Sequence, residues 1–278
     1  MDAIRLIDAG EVSAVRSQAL YHGLAAAMTE SSPDTIVLCR PSEAYFSIGY
    51  HQEPESELDL DFCRQHGYPV LHRKIGGGAV VLDRDQLFYQ VILPASRAPL
   101  RVESIYEKFL AAPVATLRDF GIPATLEGTN EVEARGRRIA GTGGGRVAEA
   151  MVMTGNFLFD FPYELMTRSW RTPSAAFRDL AGKALRRSVT TIRKEIGFVP
   201  PIDEIKQRLV ENYRRTLGRR VVAGELTPGE TAAVIAAEAE VLDPSIEGPL
   251  VRAERVLKIA RGVYVRQSEQ GPMIEECR

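Results

Sequence analysis

The chain is short of the residues that most often carry metal or redox chemistry. In 278 residues it has three cysteines, four histidines and one tryptophan. Cys39, Cys63 and Cys277 are odd in number and lack metal-ligand spacing, and the histidines never pair at such spacing. Free thiols in a reducing cytoplasm, and no protein-bound metal site, are therefore expected. No apolar run approaches the roughly 18 residues that span a bilayer. The opening Met1-Asp2-Ala3-Ile4-Arg5 does not have the form of a signal peptide, so a cytoplasmic protein with no membrane partner is expected. A formal net charge of −2 supplies no field for general nucleic-acid binding, and no nucleic-acid partner is expected. Lysine is scarce too, six against 29 arginines. Such a skew usually follows genome composition, so any single arginine must be read against it.

What is present is ordinary for a soluble globular chain: 45% hydrophobic and 26% charged residues. The length suits one large domain with an appendage, or two domains. The densest feature is Arg73-Lys74-Ile75-Gly76-Gly77-Gly78-Ala79-Val80-Val81-Leu82-Asp83. Three glycines expose bare N–H groups beside two cations, a combination able to hold a phosphate or a polar carbonyl. A tight turn entering a strand is the other reading of the same residues.

The first half alternates short apolar runs with helical patterns. Strands are expected at 4–7, 34–40, 44–49, 68–72, 79–82 and 87–93, from their β-branched and aromatic content. Ser13 is placed to cap a helix reaching Met28. Residues 59–66 read as a further helix. The pattern over 102–120 predicts a long amphipathic helix with Ile105, Phe109, Val114 and Leu117 inward. Strand-like pieces follow at 124–126, 130–134, 137–140 and 150–161, with Gly141-Thr142-Gly143-Gly144-Gly145 read as a second glycine-rich turn. Residues 174–196 read as helical, as do 202–217 and 228–242, and 256–267 as a short hairpin. These elements give an α+β chain around a central mixed sheet flanked by helices, not a regular βαβ repeat. Neither glycine run has the dinucleotide fingerprint or the phosphate-loop ending. Pro200-Pro201 is the best linker, dividing the chain into 1–199 and a small C-terminal domain at 200–278.

Several segments together resemble the lipoate–protein ligases, within the wider group that also holds biotin–protein ligases and octanoyltransferases. Ile48-Gly49-Tyr50-His51-Gln52 resembles their IGxxQ segment, and Arg73 to Asp83 their glycine loop. Thr129-Asn130-Glu131-Val132 resembles their Asn-Asp-Ile segment, with Glu131 in place of Asp. Gly136-Arg137-Arg138-Ile139-Ala140-Gly141 resembles their G-(R/K)-K-(I/V)-(S/A)-G segment, and Thr154-Gly155-Asn156-Phe157-Leu158 the strand after it. Five motifs in family order cover about residues 1–198, and the remainder resembles the accessory region of some relatives.

The resemblance implies an α/β catalytic domain and a two-step reaction. Lipoate or octanoate and Mg-ATP first form an acyl-adenylate; a lysine of a lipoyl acceptor domain then takes the acyl group as an amide. It implies that Gly76, Gly77, Gly78, Arg73 and Gly155 bind the lipoyl group. It implies that Arg73, Asn130, Glu131, Ala79, Val80, Asp83, Arg138, Gly141 and Thr142 bind the nucleotide, with Mg2+ arriving with ATP near Asn130 and Glu131. Asp83 is otherwise a turn residue, and Arg73 a surface cation. ATP, Mg2+ and lipoate are thus substrates, and the implied partners are an acceptor domain and a small accessory ligase subunit.

Arg138 stands where the family motif has lysine, the implied catalytic position. Three readings follow: Arg138 keeps the charge and the ligase works; the protein binds lipoate or lipoyl domains without adenylation; or another lysine, Lys74 being the nearest candidate, fills the role. Octanoyl transfer through a thioester needs a cysteine, and none lies between Cys63 and Cys277, where Pro123 and Val152 stand near the places such transferases use. That reading is disfavoured. So is a biotin ligase, whose loop is usually GRGRxGR-like. A purely interacting protein, with glycine turns and solvated arginines, is the competitor from a different class.

Overall fold

In a computed structural model, which describes residues 2–242 and 256–277, the chain forms fourteen strands and nine helices among the described residues. The strands are β1 (Ala3–Val12), β2 (Thr35–Pro41), β3 (Tyr45–Ile48), β4 (Val70–His72), β5 (Val80–Leu82), β6 (Gln86–Pro94), β7 (Ala124–Glu127), β8 (Glu131–Ala134), β9 (Arg137–Val147), β10 (Ala150–Leu158), β11 (Arg220–Ala223), β12 (Val256–Ala260), β13 (Val263–Ser268) and β14 (Gly271–Glu276). The helices are α1 (Ala14–Ala26), α2 (Pro54–Glu57), α3 (Leu60–Gln65), α4 (Val102–Asp119), α5 (Tyr163–Ser169), α6 (Ala175–Ser188), α7 (Ile192–Ile196), α8 (Ile202–Leu217) and α9 (Pro228–Leu242).

Eight strands make a mixed sheet in the order β11-β1-β2-β6-β10-β9-β8-β7. Its first three strands run parallel and the rest pair antiparallel. β2, β6 and β10 are buried along nearly their whole length, as expected of central strands with both faces covered. Helices α4 and α8 cover one face through Phe109, Leu117, Leu209 and Tyr213. Helices α1 and α9 cover the other through Leu20, Leu24, Val234 and Val241. A second small sheet, β4-β3-β5, frames the first glycine loop, and β12-β13-β14 form a third sheet that packs on α6. The expected central mixed sheet flanked by helices is what forms, and no helix of the described residues is long and apolar enough to cross a membrane.

Several elements differ from the sequence expectation. Gly141 to Gly145 are not a turn; they lie inside β9 and pair with β10 from Val152 to Asn156. The bare backbone is needed because a Cβ on Gly144 would sit 2.9 Å from the Val152 carbonyl and 3.0 Å from the Tyr106 hydroxyl. The run over 174–196 is two helices, with Ser174 and Thr191 accepting hydrogen bonds as N-caps. Between them the β-branched Val189-Thr190-Thr191 is extended and bridges to Arg138. Pro201 stands just before the first residue of α8. Beyond it, however, α8 packs on α4, β11 pairs with β1 and α9 packs on α1. Of the segment 200–278, the part forming a sheet of its own among the described residues is β12–β14.

The α1–α9 contact is close enough to depend on one glycine. A Cβ on Gly23 would lie 2.5 Å from the Val234 backbone, nearer than any side chain can approach. Gly23→Ala is expected to lower the unfolding free energy by about 1–3 kcal/mol through overpacking, read from chemical denaturation midpoints at unchanged m-value. An unshifted midpoint would show that α9 does not sit on α1 in solution.

Candidate active site

The first glycine loop is held open by one buried side chain. Arg73 leaves β4 and lies buried under the loop, at 8% exposure. Its Nε donates to Gly76 O at 3.2 Å, one terminal nitrogen to Ser47 O and Oγ at 2.8 and 3.3 Å, and the other to Gly76 O and Gly78 O at 3.1 and 2.7 Å. All five N–H bonds of the guanidinium thus have protein partners. Gly77 takes φ +109°, and a Cβ there would strike the Arg73 fork at 2.7 Å. The IGxxQ segment backs the loop. A Cβ on Gly49 would lie 1.9 Å from Gly77 O; Tyr50 N donates to Ile75 O, and Gln52 Oε1 accepts from Gly49 N. The result is a rigid wall of exposed backbone facing a cleft.

That cleft has a volume of about 570 Å³, the size of a site for a small ligand. Gly76, Gly77, Gly78, Ala79 and Val80 line one side; Gly141, Thr142, Gly143 and Gly155 of the paired β9 and β10 line another. Asn130, Glu131 and Arg138 stand at one end. Gly155 sits on Tyr89, whose ring would meet a Cβ at 2.3 Å, so its bareness serves the packing beneath the sheet as well as the cleft. Gly141 is likewise filled behind by Asn156. An apolar section is formed by Phe161, Met166, Trp170, Leu185 and Val189, and β12 closes over it with Val256, Leu257, Lys258 and Ile259.

The β8–β9 hairpin sets the charged end. Its two-residue turn, Arg135 at φ +50° and Gly136 at φ +71°, has the primed geometry that suits a tight hairpin. The register places Arg138 opposite Glu133 and diagonal to Glu131. Arg138 donates from Nε and a terminal nitrogen to the two Glu131 oxygens at 2.7 and 2.5 Å, a bidentate pair. Thr142 donates to Asn130 O at 2.5 Å, tying the β7–β8 turn to β9. Because both Glu131 oxygens accept from Arg138, the pair offers no free carboxylate to a metal. No cluster of three potential ligands occurs among the described residues. The residues here do not fit a protein-bound Mg2+.

The structure separates the expected site residues. Arg73, the three loop glycines, Ala79, Val80, Asn130, Glu131, Arg138, Gly141, Thr142 and Gly155 all line the one cleft. Arg73 is buried rather than a surface cation. Asp83 is absent from the wall; its carboxylate accepts from Asp85 N and Gln86 Nε2, as a turn residue does. Its pKa is pushed up to about 6, chiefly by burial. Lys74 does not supply a lysine to the cleft, since its ammonium pairs with Glu240 of α9. Sequence reasoning missed Lys258, Glu57 and Trp170, which line the cleft from segments outside the motifs; no local pattern marks them. None of the cysteines lines it. Cys39 and Cys63 are buried, with thiols pushed up to about 12 and about 11 by burial, and Cys277 is exposed.

The family described as the lipoyl protein ligase A/B catalytic domain matches residues 14–214. The chain belongs to that family. An octanoyltransferase LipM of Symbiobacterium thermophilum is 24% identical over 249 residues, covering 81% of this chain and 90% of the relative. The lipoate-protein ligase A subunit 1 of Thermoplasma acidophilum is 27% identical over 180 residues, covering 61% of this chain and 67% of the relative. Among solved structures, the bi-partite lipoate protein ligase of T. acidophilum, described with its E2 lipoyl domain, superposes with a TM-score of 0.79 at 23% identity, covering 92% of this chain and all of that one. A lipoate-protein ligase A bound with ATP superposes with a TM-score of 0.71 at 20% identity, covering 86% and 95%. The fold is shared with these ligases, and relatives by sequence carry the names of both enzymes.

Behind the loop, His22 of α1 accepts a hydrogen bond from Lys74 N at 3.1 Å and is fully buried. Its pKa falls to about 3, through burial first and then the charges of Lys74 and Arg73. The folded state therefore keeps His22 neutral while the unfolded chain protonates it below about pH 6.5. Stability is full above pH 6.5 and falls as pH drops toward 3, by up to about 1.4 kcal/mol per pH unit from this group. Denaturation of wild type and His22→Gln from pH 7 to 4 should show a shallower decline in the variant. Parallel curves would remove His22 from the account.

Proposed function

We propose that this protein is an ATP-dependent lipoate–protein ligase, activating lipoate or octanoate as the acyl-adenylate and passing it to a lysine of a lipoyl acceptor domain. The observation that carries this reading is the make-up of the cleft: an apolar section joined to a polar end with guanidinium and amide groups, and no thiol anywhere on its wall. Transfer through a thioester requires a cysteine beside the acyl carbonyl, activated by a base or cation. Here the position opposite Gly145 on β10 is Val152, fully buried, and all three thiols lie outside the cleft. Adenylation needs no protein nucleophile. The acyl carboxylate attacks the α-phosphate, pyrophosphate leaves, and the site must hold the two anions together and spread the charge that develops. The preorganised amides of Gly76 to Gly78 and the Arg138 guanidinium supply donors suited to this, with the acyl chain in the apolar section. The ATP-bound and bi-partite ligases that share the fold support the reading by analogy.

A second reading has its own observation. Arg138 is neutralised by Glu131 through two hydrogen bonds, so the cation that replaces the family lysine is not free. On this reading the protein binds lipoate or a lipoyl domain without efficient adenylation. The accessory subunit and the cytoplasmic location remain parts of the proposal that rest on the resemblance.

A mass-shift assay on a panel of acceptor domains tests the reading. With ATP, Mg2+ and lipoate or octanoate, wild type is expected to add one acyl group to the acceptor lysine, and Arg138→Lys to do so at a rate within about tenfold. Acylation only in Arg138→Lys would favour the binding protein. Acylation from an octanoyl thioester without ATP would sink the ligase reading.

A further inference from the structure

We infer that Glu195, on α7, is a positioning residue for Arg138; this rests on the ligase reading above. Glu195 stands outside the cleft, yet its side chain is only 1% exposed and accepts from three donors. Arg137 donates from a terminal nitrogen at 2.7 Å and Thr190 from its hydroxyl at 2.6 Å, both to Oε1, and Arg135 pairs with Oε2. A carboxylate taken out of water needs donors of this kind on both oxygens. Arg135 and Arg137 flank Gly136 at the β8–β9 turn, whereas Thr190 belongs to the extended link between α6 and α7. One buried carboxylate thus ties the hairpin to a link far along the chain.

The link matters for what it meets on β9. The pairing of β10 with β9 runs no further than Ala140, opposite Phe157, so β10 does not cover the strand edge at Arg138. The link takes that place: Val189 bridges to Arg138 in parallel, and Thr190 N donates to Arg138 O at 2.8 Å. On its other edge Arg138 pairs with Glu133 of β8. The Arg138 backbone is therefore held from both edges, and its side chain enters the cleft where Glu131 receives it. Val189 of the same link lines the apolar section, and its carbonyl accepts from Tyr163 Oη at 2.9 Å. From outside the cleft, Glu195 keeps the charged end and the apolar wall in one relation. Aligning an acyl carboxylate with an α-phosphate depends on such a relation, since a misplacement of about 1 Å can cost about a hundredfold in rate.

The test is steady-state pyrophosphate release by the full chain with Mg-ATP and lipoate. Glu195→Gln keeps the size and one accepting oxygen but removes the charge. It is expected to lower kcat about tenfold with KM for ATP and for lipoate within about twofold, the pattern of lost alignment without lost binding. Thr190→Val removes the link's hydroxyl and leaves both arginines paired; a fall in kcat of about threefold is expected, the loss of one hydrogen bond. Thr190→Ser keeps the hydroxyl and should restore kcat to within about twofold of wild type. Circular dichroism melts show which variants are folded at the assay temperature, and the Thr190 pair carries the test if Glu195→Gln is not. A folded Glu195→Gln with the kcat of wild type would overturn the inference while leaving the ligase reading intact. So would equal kcat for Thr190→Val and Thr190→Ser, or a loss confined to KM. Wild type that releases no pyrophosphate would overturn the ligase reading itself.

Discussion

The buried guanidinium of Arg73 is the constraint on which the site depends. A cation taken out of water with no carboxylate beside it must find polar partners on every N–H. Arg73 finds them in the carbonyls of Ser47, Gly76 and Gly78 and the Ser47 hydroxyl. Those carbonyls turn inward only if the chain at Gly77 adopts positive φ, and only if no Cβ intrudes at Gly77 or Gly49. With the carbonyls drawn to Arg73, the loop is held at the cleft in one shape. The small sheet β4-β3-β5 surrounds this contact, because Arg73 directly follows one of its strands and Ser47 lies in another. A loop so determined is preorganised, which is what the proposed alignment of an acyl carboxylate with a phosphate requires.

The electrostatics of the cleft follow from the same economy of partners. One arginine builds the wall, a second is chelated by a carboxylate of the neighbouring strand, and the remaining cation arrives from a sheet distant in sequence. In this arrangement the two guanidiniums, fixed by their partners, shape the cavity. Substitution of arginine for the family lysine at 138 is then coupled to Glu131, since a planar fork matches both carboxylate oxygens in a way that an ammonium does not. The long glutamate and the arginine form one unit, and neither can be judged alone.

Most strands were legible because their residues answer to local rules. β2 and β6 are rich in branched and aromatic residues, and Ser13 caps α1 as its side chain predicts. Helix α4 follows its apolar spacing, with Phe109 and Leu117 buried. The failures were of another kind. Gly141 to Gly145 read as a turn because glycine has no strand preference, yet the close approach of Val152 and Tyr106 requires glycine within a strand. Residues 174–196 read as helical throughout, whereas an extended bridge to Arg138 separates two helices there. The helices after Pro200 were placed correctly as elements, but not their attachment, because β11 joins β1 across more than two hundred residues.

The amino-acid sequence by itself marked short segments that meet at the cleft: the IGxxQ turn, the glycine triplet, Asn130-Glu131 and Arg138, each defined by residue types at fixed local spacing. It also determined the absence of any thiol between Cys63 and Cys277. Only the tertiary structure decided what those residues do. It turned Arg73 inward, removed Asp83 from the wall, tied Arg138 to Glu131, drew Lys74 away to Glu240 and brought Lys258 to the cleft. The reason is physical: a charged side chain acts through the partners within a few ångströms, and those partners are set by sheet register and helix docking between segments far apart in the chain.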